Sequence, residues 1–265
     1  MSGSLTALRR ELEGLAAVVV AYSGGVDSAL LAHQAAAVLG PRAHAVTAVS
    51  ASLAPEELDG CRRSAEAWGL RWSTVTTDEL ERAEYRANGP DRCWHCKSAL
   101  MDRLAPLAAQ ESATVVLGVN LDDLGDHRPG QQAAAERGAA FPLVAAGFTK
   151  ADVRRAAADL GLDVWDKPAA ACLASRLPYG TPVTFGTLAR VARAESALRR
   201  LGFSVLRVRH YGDVARVELG TDELAAAVEH RQEVVDGVKA AGYRYVTLDL
   251  EGFRSGNLNA GLTGG

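Results

Sequence analysis

The sequence predicts an α/β fold: a parallel sheet with helices on both faces, followed by a small C-terminal α+β domain. Three observations lead to this prediction. Short β-branched runs alternate with helical segments in the first part of the chain, an irregular proline-containing segment follows, and the remainder shows a helix, a hairpin, a helix and a strand. The predicted domains are residues 1–165 and 183–265, joined by a connector over residues 166–182.

The first predicted domain opens with the buried strand AAVVVAY, the turn SGG and the helix VDSALLAHQAAAVLG. Strand RAHAVTAVSAS, helix PEELDGCRRSAEAWGL, strand RWSTVTTDEL, helix KSALMDRLAPLAAQ and strand ATVVLGVN continue the alternation. In the segment TKADVRRAAADLGL, Thr149 is the predicted N-cap and Asp152 lies in the first turn, where a carboxylate suits the positive end of a helix. Strands that alternate with helices predict a parallel sheet covered on both faces.

The connector lies largely within the string KPAAACLASRLPYGTPVT, which has three prolines and little periodicity. Beyond it we expect a helix over FGTLARVARAESALRRLG, a hairpin over FSVLRVRHYGDVARVELG, a helix over TDELAAAVEHRQEVVDGVKAAG and a strand over YRYVTLDLEGF. The tail SGNLNAGLTGG has few groups that could pack, so we expect it to be mobile.

Composition narrows the class of protein. A chain of 265 residues that is 48% hydrophobic can bury a substantial core, and a net charge of −3 disfavours extended contact with nucleic acid. No apolar run approaches the roughly 20 residues that span a bilayer, and the N-terminus lacks a secretory signal pattern. We therefore expect a cytoplasmic protein with neither a nucleic-acid nor a membrane partner. Four cysteines are too few for a disulfide scaffold and favour metal or catalytic roles.

The string SGGVDS carries the first chemical signal. Its glycines let the backbone approach an anion, and the free N–H groups of the helix start point outward, as in phosphate-binding turns. The serines add hydroxyl donors, and the aspartate can hold a magnesium ion shared with phosphates. An ordinary glycine turn is the alternative for a bare glycine pair. The predicted nucleotide-binding residues of this turn are Ser23, Gly24, Gly25, Val26, Asp27 and Ser28.

The complete string, placed after a buried strand, resembles the PP-loop of the N-type ATP pyrophosphatases, which have the adenine nucleotide alpha-hydrolase-like fold. It differs from a Walker loop because no Gly-Lys-Ser/Thr follows. The resemblance implies that Mg-ATP is cleaved between its α- and β-phosphates and that AMP is left on a carbonyl or carboxylate oxygen. Asp27 is a predicted catalytic residue.

The cysteines carry the second signal. Cys93 and Cys96 form a CxxC pair, and Cys172 lies in the connector. A pair alone cannot close a four-ligand zinc site, whereas three thiolates with one open position suit a 4Fe–4S cluster. His95 could complete a zinc site but lies between the pair, with poor reach to the same ion. Cys61 lies inside a predicted helix and is expected to be a small buried side chain, which is also the alternative for Cys172.

The strings GVNLDDLGDHRPG, AACLASRLPYGTPVT and LRVRHYGDVARVEL, together with SGGVDS, are similar to the LarE family of ATP-dependent sulfur transferases, which help to build the nickel-pincer nucleotide cofactor of lactate racemase. The resemblance extends to at least Glu218 and is looser beyond it. It implies that each carboxylate of pyridinium-3,5-biscarboxylic acid mononucleotide is adenylated, with release of pyrophosphate, and then attacked by a protein-held sulfur, with release of AMP. It also implies a homo-oligomer, a hexamer, and leaves the sulfide source open.

The family has two sources of sulfur. In members with one essential cysteine, the residue that aligns with Cys172 gives up its own sulfur and becomes dehydroalanine. The presence of Cys93 and Cys96 resembles the three-cysteine branch, which implies that all three thiolates hold a 4Fe–4S cluster with a transferable sulfide on its unique iron. The alternative is a sacrificial Cys172, a catalytic residue, beside a redox or zinc pair.

The family pattern also implies substrate-binding residues in the second domain. Arg207 and Arg209 lie at i and i+2 on a predicted strand, so both project from one face, where they clamp the substrate phosphate or are simply solvated. Glu195 and Glu218 face the same site or are exposed carboxylates.

Other predicted site residues lie closer to the nucleotide and to the cysteines. Asp122 and Asp123 follow the end of a strand, which is where parallel sheets bind ligands. We expect these two aspartates either to bind magnesium or ribose or to cap a helix. Trp94 stacks on a flat ring or packs in the protein. Two further residues follow Cys172 closely enough to help bind the adenylate: Ser175 and Arg176.

Two other functions remain open from the sequence. A tRNA thiolase can also combine a PP-loop with a CxxC pair and a distant cysteine, although the modest negative charge disfavours it. A regulator that binds ATP without chemistry is the second alternative, disfavoured because Asp27 and Cys172 accompany an intact turn.

Overall fold

The computed structural model describes residues 3–125, 129–168 and 171–254. The chain divides into two compact units, Met1–Tyr85 with Pro90–Ala170 and Arg86–Gly89 with Ala171–Gly265. The division after residue 170 falls inside the segment predicted as a connector. The predicted tail, residues 255–265, lies outside the described residues.

The first unit is built on a parallel sheet of four strands. The spatial order is β3-β2-β1-β4, and each neighbouring pair is parallel. Val18 and Val20 of the central strand pack into one buried cluster, and Val19 packs into another on the opposite face. The strands are β1 (Val18–Ala21), β2 (Ala43–Val49), β3 (Trp72–Thr76) and β4 (Thr114–Leu117).

Helices cover both faces of this sheet, which confirms the predicted α/β class. They are α1 (Leu5–Glu13), α2 (Val26–Leu39), α3 (Pro55–Ala67), α4 (Ala83–Arg86), α5 (Arg92–Gln110), α6 (Pro129–Glu136), α7 (Pro142–Ala145) and α8 (Lys150–Asp159). Helix α1 is not predicted by the sequence; its N-cap Ser4 accepts a hydrogen bond from the Ala7 N–H. Helix α8 begins with a capping box of Thr149 and Asp152, so the predicted N-cap is confirmed.

The strand order places a topological switch point beside β1. The chain runs outward from β1 to β2 and β3 and then returns to β4 on the other side of β1. In open parallel sheets, ligands bind in the crevice that forms at the carboxyl ends of the strands where the order reverses. The loop after β1, which contains Ser23–Gly25, and the loop after β4 flank this crevice.

The second unit carries a sheet of three strands in the order β5-β6-β7. The predicted hairpin is the antiparallel pair β5 and β6, and β7 joins β6 in parallel. The helix predicted over residues 221–242 is two helices, because the backbone at His230 leaves the helical conformation with ψ of 28°. The elements are α9 (Phe185–Arg200), β5 (Leu206–Tyr211), β6 (Val214–Leu219), α10 (Leu224–Glu229), α11 (Arg231–Ala240) and β7 (Tyr245–Leu248).

The two faces of this sheet differ in chemistry. Leu206, Val208 and Val217 face a buried apolar cluster that includes side chains of α9 and α11. The alternating positions on the other face carry the charged side chains of Arg209 and Arg216, and Arg207 lies directly opposite Glu218 in the register. Across all described ranges, no helix combines the length and hydropathy that a membrane crossing requires.

Candidate functional site

The string SGGVDS forms the turn between β1 and α2. Gly24 has φ of +69°, and a Cβ atom there would lie 2.8 Å from the Cys61 Sγ, so both backbone conformation and space require glycine. Gly25 is the N-cap of α2 and makes no side-chain capping bond. The first N–H groups of a helix have no carbonyl partner within the helix, which makes this turn a suitable site for an anion.

The two serines of the turn have different surroundings. Ser28 is 5% exposed, and its hydroxyl donates to the Gly25 carbonyl at 3.0 Å while it accepts from the Ser23 N–H at 3.2 Å. Ser28 therefore holds the turn closed. Ser23 is exposed, with its hydroxyl 3.2 Å from that of Ser28. Of the two, Ser23 is the hydroxyl placed to contact a ligand.

Asp27 accepts hydrogen bonds from two elements that follow it far along the chain. The Asn120 Nδ2 donates to one carboxylate oxygen at 3.0 Å, and the Lys150 Nζ donates to the other at 2.5 Å. Gly118 permits this approach, because a Cβ there would lie only 2.6 Å from the Ser28 backbone nitrogen. The loops that flank the switch point therefore meet at Asp27.

The two predicted aspartates of the loop after β4 accept hydrogen bonds from backbone N–H groups. Asp122 Oδ2 accepts from the Lys150 N–H at 2.9 Å, at the start of α8, and Asp123 Oδ2 accepts from the Asn120 N–H at 3.1 Å. This geometry favours the capping alternative for Asp122. Both carboxylates hold the backbone around the residues that contact Asp27.

A cavity of about 290 Å³ lies beside the turn, lined among others by Gly24, Arg63 and Lys167. The Lys167 Nζ donates to the Gly24 carbonyl at 3.1 Å and pairs with Glu57 at 2.7 Å. Below Gly24, Cys61 is 0% exposed, and burial raises the pKa of its thiol. The prediction of Cys61 as a small buried side chain is confirmed.

Helix α5 carries the CxxC pair in its first two turns, because it begins at Arg92 and not at residue 97 as predicted. Cys93 is exposed, Cys96 is half-buried, and neither forms a disulfide. Residues three apart share one face of a helix, so this pair can supply two ligands to one metal centre. His95 instead has its Nε2 3.1 Å from the Asp91 carboxylate.

Trp94 is half-buried and packs against side chains of the same unit. Its ring lies edge-to-face with His95, and the Arg137 guanidinium is 5.4 Å from its centroid. Within residues 3–125, 129–168 and 171–254, no three His, Cys, Asp or Glu side chains lie together so that they could hold a metal ion.

The second unit holds Cys172 at the N-cap of a short 3₁₀ helix, Leu173–Arg176, with an exposed free thiol. Arg176 is 5% exposed and binds the backbone of this turn through the Ala171 and Cys172 carbonyls, at 2.6 and 3.1 Å. Its guanidinium also makes a two-bond pair with Glu195, at 2.8 and 3.1 Å.

Arg209 and Glu218 form a second buried ion pair on the charged face of the sheet. The Arg209 Nε lies 3.0 Å from both carboxylate oxygens, and its Nη1 donates to the Ser175 carbonyl at 2.9 Å. Its Nη2 is buried and has no hydrogen-bond partner among the described residues. Burial, together with the charges of Arg176 and Arg209, lowers the pKa of Arg207 to about 10.

Two alternatives from the sequence are wrong. Arg207 and Arg209 are 7% and 1% exposed, so they do not form a solvated strand face. Glu195 and Glu218 are both 0% exposed, so neither is an exposed carboxylate. The physical reason is that each glutamate is paired with arginines, which makes the burial of a carboxylate tolerable.

This cluster of charges is rich in arginine. Among the described residues, five arginines and three acidic side chains make up this cluster. Guanidinium groups are suited to an anionic ligand. We call these residues the arginine cluster; they are Arg176, Arg199, Arg207, Arg209 and Arg216, with Glu195, Glu218 and Asp249.

Comparison with known proteins decides the family. No protein-family model matches the chain. Pyridinium-3,5-bisthiocarboxylic acid mononucleotide synthase of Lactiplantibacillus plantarum is 41% identical over 254 residues, which cover 95% of this chain and 92% of that protein. The chain belongs to the LarE family. An uncharacterised protein of Synechocystis sp. is 46% identical over 266 residues, which cover 99% of each chain. An uncharacterised protein of Methanocaldococcus jannaschii is 26% identical over 239 residues, 90% of this chain and 91% of that protein.

Membership of the LarE family confirms the resemblance found in the sequence, whereas the three-cysteine branch stays a prediction. In this LarE chain, the sequence did not reveal that Asn120, Lys150 and Lys167 contact the string SGGVDS. One signal was available for Lys150. A lysine in the first turn of a helix lies at the unfavourable positive end of the dipole, so a nearby anion is expected. That anion is Asp27.

Proposed function

We propose that this protein inserts sulfur into the carboxylates of pyridinium-3,5-biscarboxylic acid mononucleotide, each through an acyl-adenylate. The observation that carries the proposal is 41% identity over 95% of the chain with a protein named pyridinium-3,5-bisthiocarboxylic acid mononucleotide synthase. That name describes a product with two thiocarboxylates. A carboxylate oxygen is a poor leaving group, so its replacement by sulfur requires prior activation.

The first step would use the turn between β1 and α2. Its amides would hold the phosphates of ATP, and a substrate carboxylate oxygen would attack the α-phosphorus, so that the bond to the β-phosphate oxygen breaks and pyrophosphate leaves. Lys150 supports a cation site at Asp27, because its ammonium group already lies 2.5 Å from that carboxylate. Asp27 would hold a magnesium ion, which would offset the negative charge of the phosphates, and Lys150 would contact a phosphate.

The second step would replace AMP by sulfur. A protein-held sulfur attacks the acyl carbon, the bond from that carbon to the AMP oxygen breaks, and the thiocarboxylate forms. Cys93, Cys96 and Cys172 form no disulfide, and three thiolates are the donor chemistry that a 4Fe–4S cluster with one open coordination position requires. When bound, such a cluster would supply an exchangeable sulfide, so that Cys172 itself would stay intact.

Arg209 and Arg207 of the arginine cluster would bind the substrate phosphate. Support comes from the Arg209 Nη2, a buried donor without a partner among the described residues. Arg207 lies on the same face of the sheet and would supply a second guanidinium. Ser175 lies beside Cys172, and Trp94 beside Cys93, so these two residues are candidates to contact the pyridinium ring and the adenylate.

The test is to incubate the anaerobically reconstituted protein with Mg-ATP and the dicarboxylate mononucleotide. We expect AMP, pyrophosphate and a thiocarboxylate detected by mass spectrometry. Formation of ADP and orthophosphate would refute the adenylation step. Replacement of the mononucleotide by tRNA should give no thiolated product, and a positive result there would favour a tRNA thiolase. ATP binding without pyrophosphate release in any arm would favour the regulator.

The source of sulfur is tested on the same sample. Brown protein that contains iron, with Cys172 of unchanged mass after turnover, supports the cluster. Colourless protein that contains zinc, or Cys172 that has lost its sulfur, supports the sacrificial route. Light scattering on the same preparation tests the predicted homo-oligomer.

A further inference from the structure

We infer that Arg176 and Glu195 are positioning residues that fix the backbone of the Cys172 turn and do not bind the mononucleotide or its adenylate. The inference rests on the proposed function as far as the substrate is concerned. It gives these two residues a different role from the substrate contact that the family resemblance implies.

The donors of Arg176 are almost fully used inside the protein. A guanidinium has five N–H donors. The Nε and one Nη2 donor bind Glu195, at 2.8 and 3.1 Å. The Nη1 group donates to the Ala171 carbonyl at 2.6 Å, the Cys172 carbonyl at 3.1 Å and the Ser175 hydroxyl at 3.1 Å. At most one N–H is left for a ligand, and the residue is 5% exposed.

Both carboxylate oxygens of Glu195 likewise accept hydrogen bonds from groups within the protein. One carboxylate oxygen accepts from the Arg176 Nε and from the Val208 N–H at 3.1 Å, and the other accepts from the Arg176 Nη2 and from Arg199 at 3.3 Å. The residue is 0% exposed. A ligand or metal ion could reach this carboxylate only after some of these bonds break.

These contacts fix the main chain at the reactive residue. Arg176 binds the carbonyl of Cys172 itself, and the Ser175 N–H binds the same carbonyl at 2.9 Å. Glu195 connects this arrangement to α9 and to the Val208 N–H of β5. The Cys172 backbone is therefore held by two regular elements of the second unit, although its own segment is irregular. Pre-organisation of a reacting group lowers the entropy lost on reaching the transition state.

Arg209 differs from Arg176 because one of its nitrogen atoms has no hydrogen-bond partner among the described residues. It has the same kind of buried glutamate partner, yet its Nη2 has no hydrogen-bond partner among the described residues. The structure thus separates two functions within the arginine cluster: Arg176 holds the cysteine turn, and Arg209 has the donor capacity for a phosphate.

The test compares Arg176→Lys with Arg207→Lys by kinetics and by hydrogen exchange. Lysine keeps the charge but cannot bind Glu195 and the turn carbonyls together. For Arg176→Lys we expect kcat for thiocarboxylate formation to fall about 10-fold with KM for the mononucleotide within about 2-fold. Amides of residues 171–177 should exchange about 10-fold faster. For Arg207→Lys we expect the reverse, about a 10-fold higher KM with unchanged exchange in the turn.

A matched control is Arg200→Lys, at an exposed arginine of α9 that donates a hydrogen bond to the Ser196 hydroxyl, and it should change neither measurement. If Arg176→Lys does not fold, the double variant Arg176→Gln/Glu195→Gln removes both charges together and should show the same fast exchange and low kcat. Its effect should be no larger than that of Glu195→Gln alone, because the two residues act as one unit.

A higher KM for Arg176→Lys with unchanged exchange in the turn would overturn the inference, because it would identify a substrate ligand. If the wild-type protein forms no thiocarboxylate, the proposed function fails. The exchange measurement still decides the positioning role in that case, since it needs no substrate: faster exchange supports it and unchanged exchange rejects it.

Discussion

Replacement of Glu218 by glutamine tests whether paired charges hold the charged face of the second sheet. Glu218 is 0% exposed and accepts from the Arg209 Nε at 3.0 Å and from Arg216 at 2.9 Å. Glu218→Gln keeps the shape and one acceptor oxygen but removes the negative charge. The guanidinium of Arg209, 1% exposed, then lacks its anionic partner.

The size of the effect follows from this burial. Removal of one partner of a buried ion pair costs about 3–5 kcal/mol, and the oxygen retained by glutamine places the expected loss near the lower end, at about 3 kcal/mol. For a chain of this length, each kcal/mol lowers Tm by about 2–4 °C, so we expect a decrease of about 6–12 °C.

The assay is thermal unfolding followed by circular dichroism, with Glu229→Gln as the matched control. Glu229 is exposed in α10, so its substitution should change stability by no more than about 0.5 kcal/mol. A fall in Tm for Glu218→Gln no larger than that of the control would refute the reasoning that this pair holds a buried charge. Inorganic phosphate should restore part of the lost stability if the arginine cluster binds phosphate, because a ligand of the folded state stabilises it.

Three further predictions concern other parts of the chain. Gly24→Ala should weaken ATP binding by about 10-fold or more in calorimetry, since alanine is strained at positive φ, whereas Gly14→Ala in α-helical backbone should not; equal affinities would reject the steric argument. Iodoacetamide should modify every cysteine of the native apoprotein except Cys61, whose thiol is buried and has a raised pKa; rapid labelling of Cys61, read by peptide mass spectrometry, would contradict this. Burial and the charge of Arg190 lower the pKa of His210 below its ordinary value of 6.5. The stability that the fold gains from keeping this imidazole neutral is therefore complete above that pH and is lost as the pH falls below it. The decrease in Tm between about pH 7.5 and about pH 5 should therefore be smaller in His210→Gln, and an equal decrease would exclude His210 as its source.

Much of the fold could be predicted from local pattern. The run before SGG reads as a buried strand because three consecutive valines face both sides of a covered sheet, and the structure places Val18–Ala21 there. The Thr149 cap was visible because a capping box is local in sequence. The break between two helices at His230 could not be predicted, because both flanking segments are equally good helix formers and only the backbone geometry separates them.

The candidate site was harder to predict, because its partners are distant in sequence. Asp27 and Lys150 are 123 residues apart, and no local rule connects them. The burial of Glu195 and Glu218 was missed for a related reason. A charged residue alone in a helix or strand is usually exposed, and only the fold reveals that arginines from other elements neutralise these two carboxylates.

The positive charge of the buried Arg207 side chain relates the burial of this residue to ligand binding. Its pKa of about 10 is low for an arginine, first because the side chain is buried and then because Arg176 and Arg209 repel its charge. The pKa is still well above neutral pH, so the charge persists at a place where the protein disfavours it. An anion bound there would offset both effects at once, by supplying an opposite charge and by screening the neighbouring guanidiniums from one another. The cost of keeping Arg207 charged in the free protein would then be recovered on binding a phosphate, which gives a physical reason for two arginines on one buried strand face.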